Sequence, residues 1–175
     1  MKRIMLVDDE KNVLRALERV LASSDCEVEC FTDPEQALLR AHTATFDLIL
    51  SDYRMPGMDG VELLSQLKEM QPDAMRIILS AYSDLNAILT AINQAEVYRY
   101  ITKPWEPLDL KQTIDSALAH REMLVENRRL AEQVRQQQAQ LDRQGQALRE
   151  LEKHHPEIAR VVWADDGSIL LDDPE

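Results

Sequence analysis

Acidic residues follow two short apolar segments of this sequence, and a lysine follows another. Asp8 and Asp9 come directly after the first segment, Asp52 after the third and Lys103 after the fifth. Carboxylates gathered at one place repel one another, and a hard cation such as Mg²⁺ relieves that repulsion. A carboxylate in such a site can take up a phosphoryl group as a nucleophile, and a lysine ammonium can pair with the phosphoryl oxygens. The residue types therefore indicate magnesium-dependent phosphoryl transfer to an aspartate.

Strand-like and helix-like segments alternate over the first 107 residues, which predicts an α/β fold. We predict strands at 3–7, 27–31, 47–51, 75–79 and 98–102, and helices at about 11–23, 34–42, 59–70 and 84–95. Three of the strand segments are near-continuous apolar runs, as in buried parallel strands, whereas Glu27 and Glu29 alternate with apolar residues in the second, as in an edge strand. The expected architecture is a doubly wound, flavodoxin-like sheet of five parallel strands in the order 2-1-3-4-5.

Four motifs stand at the ends of these strands. They are Val7-Asp8-Asp9-Glu10, then Asp52 with Met55-Pro56-Gly57-Met58-Asp59-Gly60, then Ser80-Ala81, and finally Tyr100-Ile101-Thr102-Lys103-Pro104. In this order they resemble the response-regulator receiver domain of two-component signalling, over roughly residues 1–120. The resemblance implies a phosphorylation-controlled switch that receives its phosphoryl group from a sensor histidine kinase, and not a separate enzymatic activity.

The resemblance also implies a magnesium site. Asp52 would be the phosphoacceptor, and Asp9 and Asp52 would bind Mg²⁺ directly. The backbone carbonyl of Arg54 would be a further ligand, and Asp8 would act mostly through water. Asp59, in contrast, is better explained as the N-cap of the third helix.

The remaining implied roles concern the phosphoryl group and the switch. Lys103 would pair with the phosphoryl group, and its bond to Pro104 would be cis. Ser80 would hydrogen-bond a phosphoryl oxygen and draw Tyr100 inward as the switch aromatic. From the residues alone, Tyr100 as core filler and Ser80 as a turn former remain open alternatives.

The amino-acid composition changes after Pro107, where Leu, Ala, Glu, Gln and Arg dominate. A heptad repeat places Asn127, Val134, Leu141 and Leu148 at a positions, and Leu130, Gln137, Gln144 and Leu151 at d positions. The first part of this stretch is the fifth helix of the α/β fold. We predict a coiled-coil helix over 121–153 that continues this fifth helix and forms a homodimer. Asn127 favours parallel, in-register pairing, and the two glutamines weaken the middle of the seam. The alternative is a long solvated helix.

Residues 154–175 are expected to form a hairpin around an Asp-Gly turn, followed by an acidic tail. Trp163 is expected to pack the hairpin in preference to anchoring a downstream protein partner. The predicted output is a shift in the face made by the fourth helix, fifth strand and fifth helix, relayed to the coiled coil and to protein partners. The alternative from a different class is a constitutive dimeric scaffold with a vestigial receiver pocket.

The composition restricts the remaining function classes. The net charge is −12 with a pI near 4.8, and residues 1–107 and 108–175 are both acidic, with 11 Lys/Arg against 18 Asp/Glu and 9 against 14. This balance, with no helix-turn-helix after residue 120, argues against direct DNA binding. No signal peptide or membrane-spanning run is present, which predicts a cytoplasmic protein. Cys26 and Cys30 are expected to be small buried side chains, and not a disulfide or a metal site.

Overall fold

A computed structural model of the chain describes residues 1–81 and 95–154, together with the backbone of 162–163 and 169–170. These residues belong to two compact units, 1–126 and 127–175. The predicted helix at 84–95 lies outside the described residues except for Ala95. No described helix is both long enough and apolar enough to cross a membrane.

The first unit is built on a five-stranded parallel sheet. Its strands are β1 (Lys2–Val7), β2 (Cys26–Phe31), β3 (Leu48–Asp52), β4 (Met75–Ala81) and β5 (Arg99–Lys103), in the order β2-β1-β3-β4-β5. The predicted flavodoxin-like order 2-1-3-4-5 is therefore confirmed. Strand β3 is buried throughout, and β1 and β4 are buried over most of their length, which explains their continuous apolar sequences.

Four described helices accompany the sheet: α1 (Lys11–Leu21), α2 (Pro34–Ala41), α3 (Gly60–Met70) and α4 (Pro107–His154). Helix α4 is the one that the sequence analysis called the fifth helix. Two of them begin at an aspartate cap. The Asp33 side chain accepts from the Glu35 N–H at 3.0 Å, and the Asp59 side chain accepts from the Glu62 N–H at 2.8 Å. The interpretation of Asp59 as the N-cap of the third helix is thus confirmed.

Successive side chains on each central strand enter opposite cores, because side chains alternate across a strand. One core contains Met5, Ile49 and Ile78 with residues of α2 and α3. The other contains Leu50 and Leu79 with residues of α1 and of the first three turns of α4. Both faces of the sheet are therefore covered by helices. The polar side chains of the site lie instead where the strands end, at their carboxyl ends.

Strand β2 lies at the edge of the sheet, as its alternating pattern predicted. Glu27 and Glu29 lie on the opposite face of β2 from Cys26 and Cys30 and form ion pairs with Arg3 at 2.9 and 3.3 Å. Cys26 and Cys30 pack against the core that contains Leu50 and Leu79, and both are free thiols in the structure. They are half-buried and not fully buried, because an edge strand has a neighbour on one side only.

The second unit contains the continuation of α4, which ends at His154, and two short strands. Strands β6 (Val162–Trp163) and β7 (Ile169–Leu170) pair antiparallel, with Val162 opposite Leu170. This pairing is what the predicted hairpin requires. The turn residues 164–168 and the side chain of Trp163 lie outside the described residues.

Candidate functional site

Chemistry-bearing side chains collect at the carboxyl edge of the sheet. Asp8 directly follows β1, Asp52 is the last residue of β3, and Lys103 is the last residue of β5. Ser80 is the residue before the last in β4. Because all five strands are parallel, their carboxyl ends lie on the same edge, as the sequence predicted.

Lys103 bridges the two buried aspartates. Its Nζ lies 2.8 Å from Asp8 Oδ2 and 2.5 Å from Asp52 Oδ1. The Asp8 side chain is fully buried and that of Asp52 is 9% exposed, whereas that of Lys103 is 21% exposed. The structure therefore brings together three of the predicted site residues, from strands that are up to 95 positions apart in the sequence.

Burial and pairing set the protonation of this cluster. Burial raises the pKa of Asp8 above its usual range, against the opposing effects of Lys103 and of the Glu10 N–H, which donates to Asp8 Oδ1 at 2.9 Å. Burial also acts to lower the pKa of Lys103, but its hydrogen bonds to Asp52 and Asp8 outweigh this effect and the pKa is raised. Lys103 therefore stays an ammonium between the two aspartates.

The other predicted metal ligands are sequence neighbours of these aspartates. Asp9 is exposed next to Asp8, and the Arg54 N–H donates to Asp52 Oδ2 at 2.9 Å. Among the residues that the structure describes, no group of three or more His, Cys, Asp or Glu side chains stands close enough to enclose a metal ion. The donor chemistry nevertheless fits Mg²⁺, because carboxylates and a backbone carbonyl supply only oxygen and two buried carboxylates face a single ammonium.

The predicted switch residues occupy neighbouring strands. Ser80 is 1% exposed, and its hydroxyl donates to the Ala81 carbonyl at 3.1 Å. Tyr100 is 38% exposed and lines a groove of about 620 Å³ at the junction of β5 and α4. The bond between Lys103 and Pro104 is cis, as expected.

Gly60 is a residue of the site to which the sequence analysis gave no role of its own. A Cβ on this glycine would lie 2.0 Å from the Asp52 carbonyl oxygen, so α3 can begin this close to β3 only with glycine at its first position. The Gly60 N–H donates to the Tyr53 carbonyl at 2.9 Å. A glycine just inside a helix start, where it weakens the helix, was the available signal.

Comparisons with known proteins match the first unit. The model of the response regulator receiver domain family covers residues 4–115. The hydrogenase transcriptional regulatory protein HoxA of Bradyrhizobium diazoefficiens is 40% identical over 115 residues, which cover 66% of this chain and 24% of that protein. The DNA-binding transcriptional regulator NtrC of Klebsiella pneumoniae is 36% identical, with the same coverage. The chain thus spans about a quarter of the length of these relatives.

Solved structures give the same result. The signal receiver domain of an HD domain-containing protein from Pseudomonas fluorescens Pf-5 is 34% identical, with a TM-score of 0.68, over 71% of this chain and 92% of that one. A CheY-like receiver domain protein from Methanospirillum hungatei JF-1 is 31% identical, with a TM-score of 0.66, over 70% and 98%. The family model, which covers residues 4–115, includes Asp8, Asp52 and Lys103. The chain therefore belongs to the response regulator receiver domain family.

Proposed function

We propose that this chain is a cytoplasmic response regulator that accepts a phosphoryl group on Asp52 from a sensor histidine kinase. The observation that carries the proposal is the pairing of Lys103 with both Asp52 and the buried Asp8 at the carboxyl edge of the sheet. Burying two carboxylates beside one ammonium is unfavourable for stability alone. It is favourable where a phosphoryl group must be attacked and its charge then neutralised.

The proposed step transfers the phosphoryl group from a phosphohistidine of the kinase. An Asp52 carboxylate oxygen forms the new bond to phosphorus as the bond from phosphorus to the histidine nitrogen breaks. The leaving group is a neutral imidazole because the other ring nitrogen of the phosphohistidine carries a proton. Lys103 exchanges its ion pair with Asp52 for a phosphoryl oxygen, and it keeps Asp8 as its second partner. Mg²⁺, held by Asp9, Asp52 and the Arg54 carbonyl with Asp8 acting through water, would supply further positive charge.

The response to phosphorylation is proposed to begin at Ser80. Its hydroxyl now donates to the Ala81 carbonyl, so it must exchange that acceptor to reach a phosphoryl oxygen. The half-exposed Tyr100 has a groove beside it and can follow inward. The face that changes includes β5 and the start of α4, and α4 is the helix that continues into the second unit.

A matched pair of variants tests the phosphoacceptor. Acetyl phosphate with Mg²⁺ should add one phosphoryl group to the unmodified chain and none to Asp52→Asn, as measured by intact-mass spectrometry. Asp33→Asn is the control, because it makes the same change at a helix cap where asparagine serves as well. Phosphorylation of Asp52→Asn, or none of the unmodified chain, would contradict the proposal.

We also propose that residues 121–153 form a parallel homodimeric coiled coil. In the single chain the apolar seam residues are exposed: Leu130 (46%), Val134 (63%), Leu141 (60%), Leu148 (59%) and Leu151 (56%). The charged residues between 128 and 150 all fall at the outer b, c and f positions: Arg128, Arg129, Glu132, Arg135, Asp142, Arg143, Arg149 and Glu150. One face of the helix is therefore uncharged between residues 128 and 150, as a buried interface requires.

The polar seam residues favour the parallel arrangement. In a parallel, in-register dimer Asn127, Gln137 and Gln144 each meet their own copy, and every apolar seam residue also meets its own copy. An antiparallel pair that keeps the same eight seam positions in contact would place Asn127 against Leu151 and Gln137 against Leu141. Such pairs leave an amide without a polar partner, which costs about 1–3 kcal/mol each.

Two lysine substitutions test the dimer. Leu141→Lys places a charge in the seam, whereas Ala139→Lys places the same charge on the outer face of the same turn. Analytical ultracentrifugation should show a dimer for the unmodified chain and for Ala139→Lys, and a monomer for Leu141→Lys. Adding beryllium fluoride and Mg²⁺ then separates a switch from a constitutive scaffold, because a scaffold keeps the same dimer affinity in both conditions.

A further inference from the structure

The peptide unit that follows Asp52 is held at both of its polar ends. The Tyr53 N–H donates to the Leu79 carbonyl of β4 at 2.8 Å. The Asp52 carbonyl accepts from the Ser51 hydroxyl at 2.9 Å. Rotation of this unit about the chain would break one or both hydrogen bonds, so its orientation is fixed relative to the sheet.

The next peptide unit, between Tyr53 and Arg54, is held in the same way. The Tyr53 carbonyl accepts from the Gly60 N–H at 2.9 Å. The Arg54 N–H donates to Asp52 Oδ2 at 2.9 Å. The phosphoacceptor carboxylate therefore takes part in fixing the turn that follows it, and the orientation of the turn fixes one of its oxygens in return.

These two peptide units determine the geometry of the proposed site. Only they separate Asp52 from Arg54, whose carbonyl follows the second unit directly. If the first unit tilted, the Asp52 side chain and the Arg54 carbonyl would both move relative to Lys103. A displacement of about 1 Å at a reacting centre is enough to cost a large part of its activity.

Of these four hydrogen bonds, the one from the Ser51 hydroxyl can be removed by a substitution that leaves the other three in place. The partners of the other three contacts are backbone groups or the phosphoacceptor itself. The Ser51 side chain is fully buried, and its Oγ lies only 3.1 Å from where a Cβ on Gly60 would stand. Serine and glycine therefore enclose the Asp52 carbonyl from two sides.

We propose that Ser51 is a positioning residue for phosphoryl transfer, whose hydroxyl holds the Asp52 carbonyl and so orients the Asp52 carboxylate and the Arg54 carbonyl toward bound Mg²⁺. The inference rests on the proposed function. The competing account is that Ser51 is merely a small residue that fits under the start of α3. On that account alanine, which is smaller still, would leave Mg²⁺ binding unchanged.

Mg²⁺ titration of the full chain, followed by amide NMR shifts, separates the two accounts without relying on activity. Ser51→Ala should weaken Mg²⁺ binding roughly fivefold, the equivalent of one hydrogen bond. Phosphorylation by acetyl phosphate should slow by a similar factor at subsaturating Mg²⁺. Ser51→Thr keeps the hydroxyl and should restore much of the affinity.

Ser65→Ala is the matched control, because the Ser65 hydroxyl also donates to a backbone carbonyl, that of Val61 at 2.8 Å within α3. It should leave Mg²⁺ affinity unchanged, and urea unfolding should show both alanine variants folded. Unchanged Mg²⁺ affinity in Ser51→Ala, or equal weakening in Ser65→Ala, would overturn the role of Ser51 but not the proposed function. An unmodified chain that binds no Mg²⁺ removes the proposed function and this inference with it.

Discussion

Leucine has a different environment in the two units. Leu50 in β3 is fully buried between neighbouring strands, whereas Leu148 in α4 is 59% exposed. The first unit buries most of its described leucines in its own cores, whereas the second exposes its helical leucines along one face of α4. An isolated helix gains little from such residues, so we expect residues 121–153 to need the proposed partner helix for stability, whereas the first unit has its own buried cores.

The same contrast places the proposed phosphoryl transfer in the first unit and the proposed dimerisation in the second. The carboxyl edge of the first unit is made of contacts within the chain, among them the bridge from Lys103 to Asp8 and Asp52. Along the heptad seam of the second unit, the described apolar side chains are exposed. Phosphoryl transfer is thus proposed as a property of one chain, and the dimer as a property that depends on protein concentration.

The largest expected difference comes from truncating one leucine in each unit. Leu50→Ala should destabilise the first unit by about 2–5 kcal/mol, because it leaves a cavity in a close-packed core. Leu148→Ala should leave that unit unchanged and weaken the dimer. Urea unfolding in a Trp163→Phe background, where fluorescence reports Trp105 beside the core, measures the first effect. Ultracentrifugation measures the second, and an equal loss of stability in both variants would contradict the contrast.

The next effect concerns the close approach of α3 to β3. Gly60→Ala should cost about 1–3 kcal/mol, since its Cβ would overlap the Asp52 carbonyl, and should sharply reduce phosphorylation of Asp52. Gly57→Ala is the control: Gly57 has φ of +84° with open space around it, so alanine there is strained but displaces nothing. Unfolding and acetyl-phosphate kinetics measure both variants, and normal phosphorylation of Gly60→Ala would refute the effect.

The sequence predicted the sheet well because buried parallel strands are visible as apolar runs. It placed the carboxyl ends of three strands one or two residues short, at 51, 79 and 102, where the polar residues Asp52, Ser80 and Lys103 follow. In the structure the backbone pairing continues through them: Asp52 pairs with Leu79, and Ala81 with Lys103. Strand length depends on main-chain hydrogen bonds, which side-chain polarity does not reveal. Asp52 and Lys103 thus lie on rigid strands and not in the loops that follow.

The site itself was only partly predictable. That Asp8, Asp52 and Lys103 share an edge follows from the parallel arrangement of the strands, which the alternation of strand and helix segments indicated. The bridging of both aspartates by one ammonium, the exposure of Asp9 and the present acceptor of Ser80 depend on side-chain conformations that spacing does not determine. The role of Gly60 depends on the distance between a helix and a strand, which is a tertiary property.

A smaller effect is expected from the polar layers of the second unit. Replacing Gln137 and Gln144 together with leucine should tighten the dimer about tenfold or more, because two polar seam layers become apolar. The double change Gln136→Leu and Gln146→Leu adds the same side chains on the outer face and should leave the affinity unaltered. Sedimentation equilibrium compares them, and equal tightening by both pairs would show that the seam is misassigned.

The smallest expected effect comes from Gly145→Ala, which should stabilise its helix, whereas Gly60→Ala should destabilise the first unit. Gly145 lies inside α4, where an added Cβ would meet only Arg149 Nη2, at 3.9 Å. Gly145→Ala should therefore stabilise the helix by about 1 kcal/mol per chain, since glycine is a poor helix former. The thermal midpoint of the helical circular dichroism signal should rise, and Ala139→Gly should lower it by a similar amount. A fall in Gly145→Ala would mean that the dimer packs closely against this position, so that the helix needs glycine there for the same reason that α3 needs Gly60.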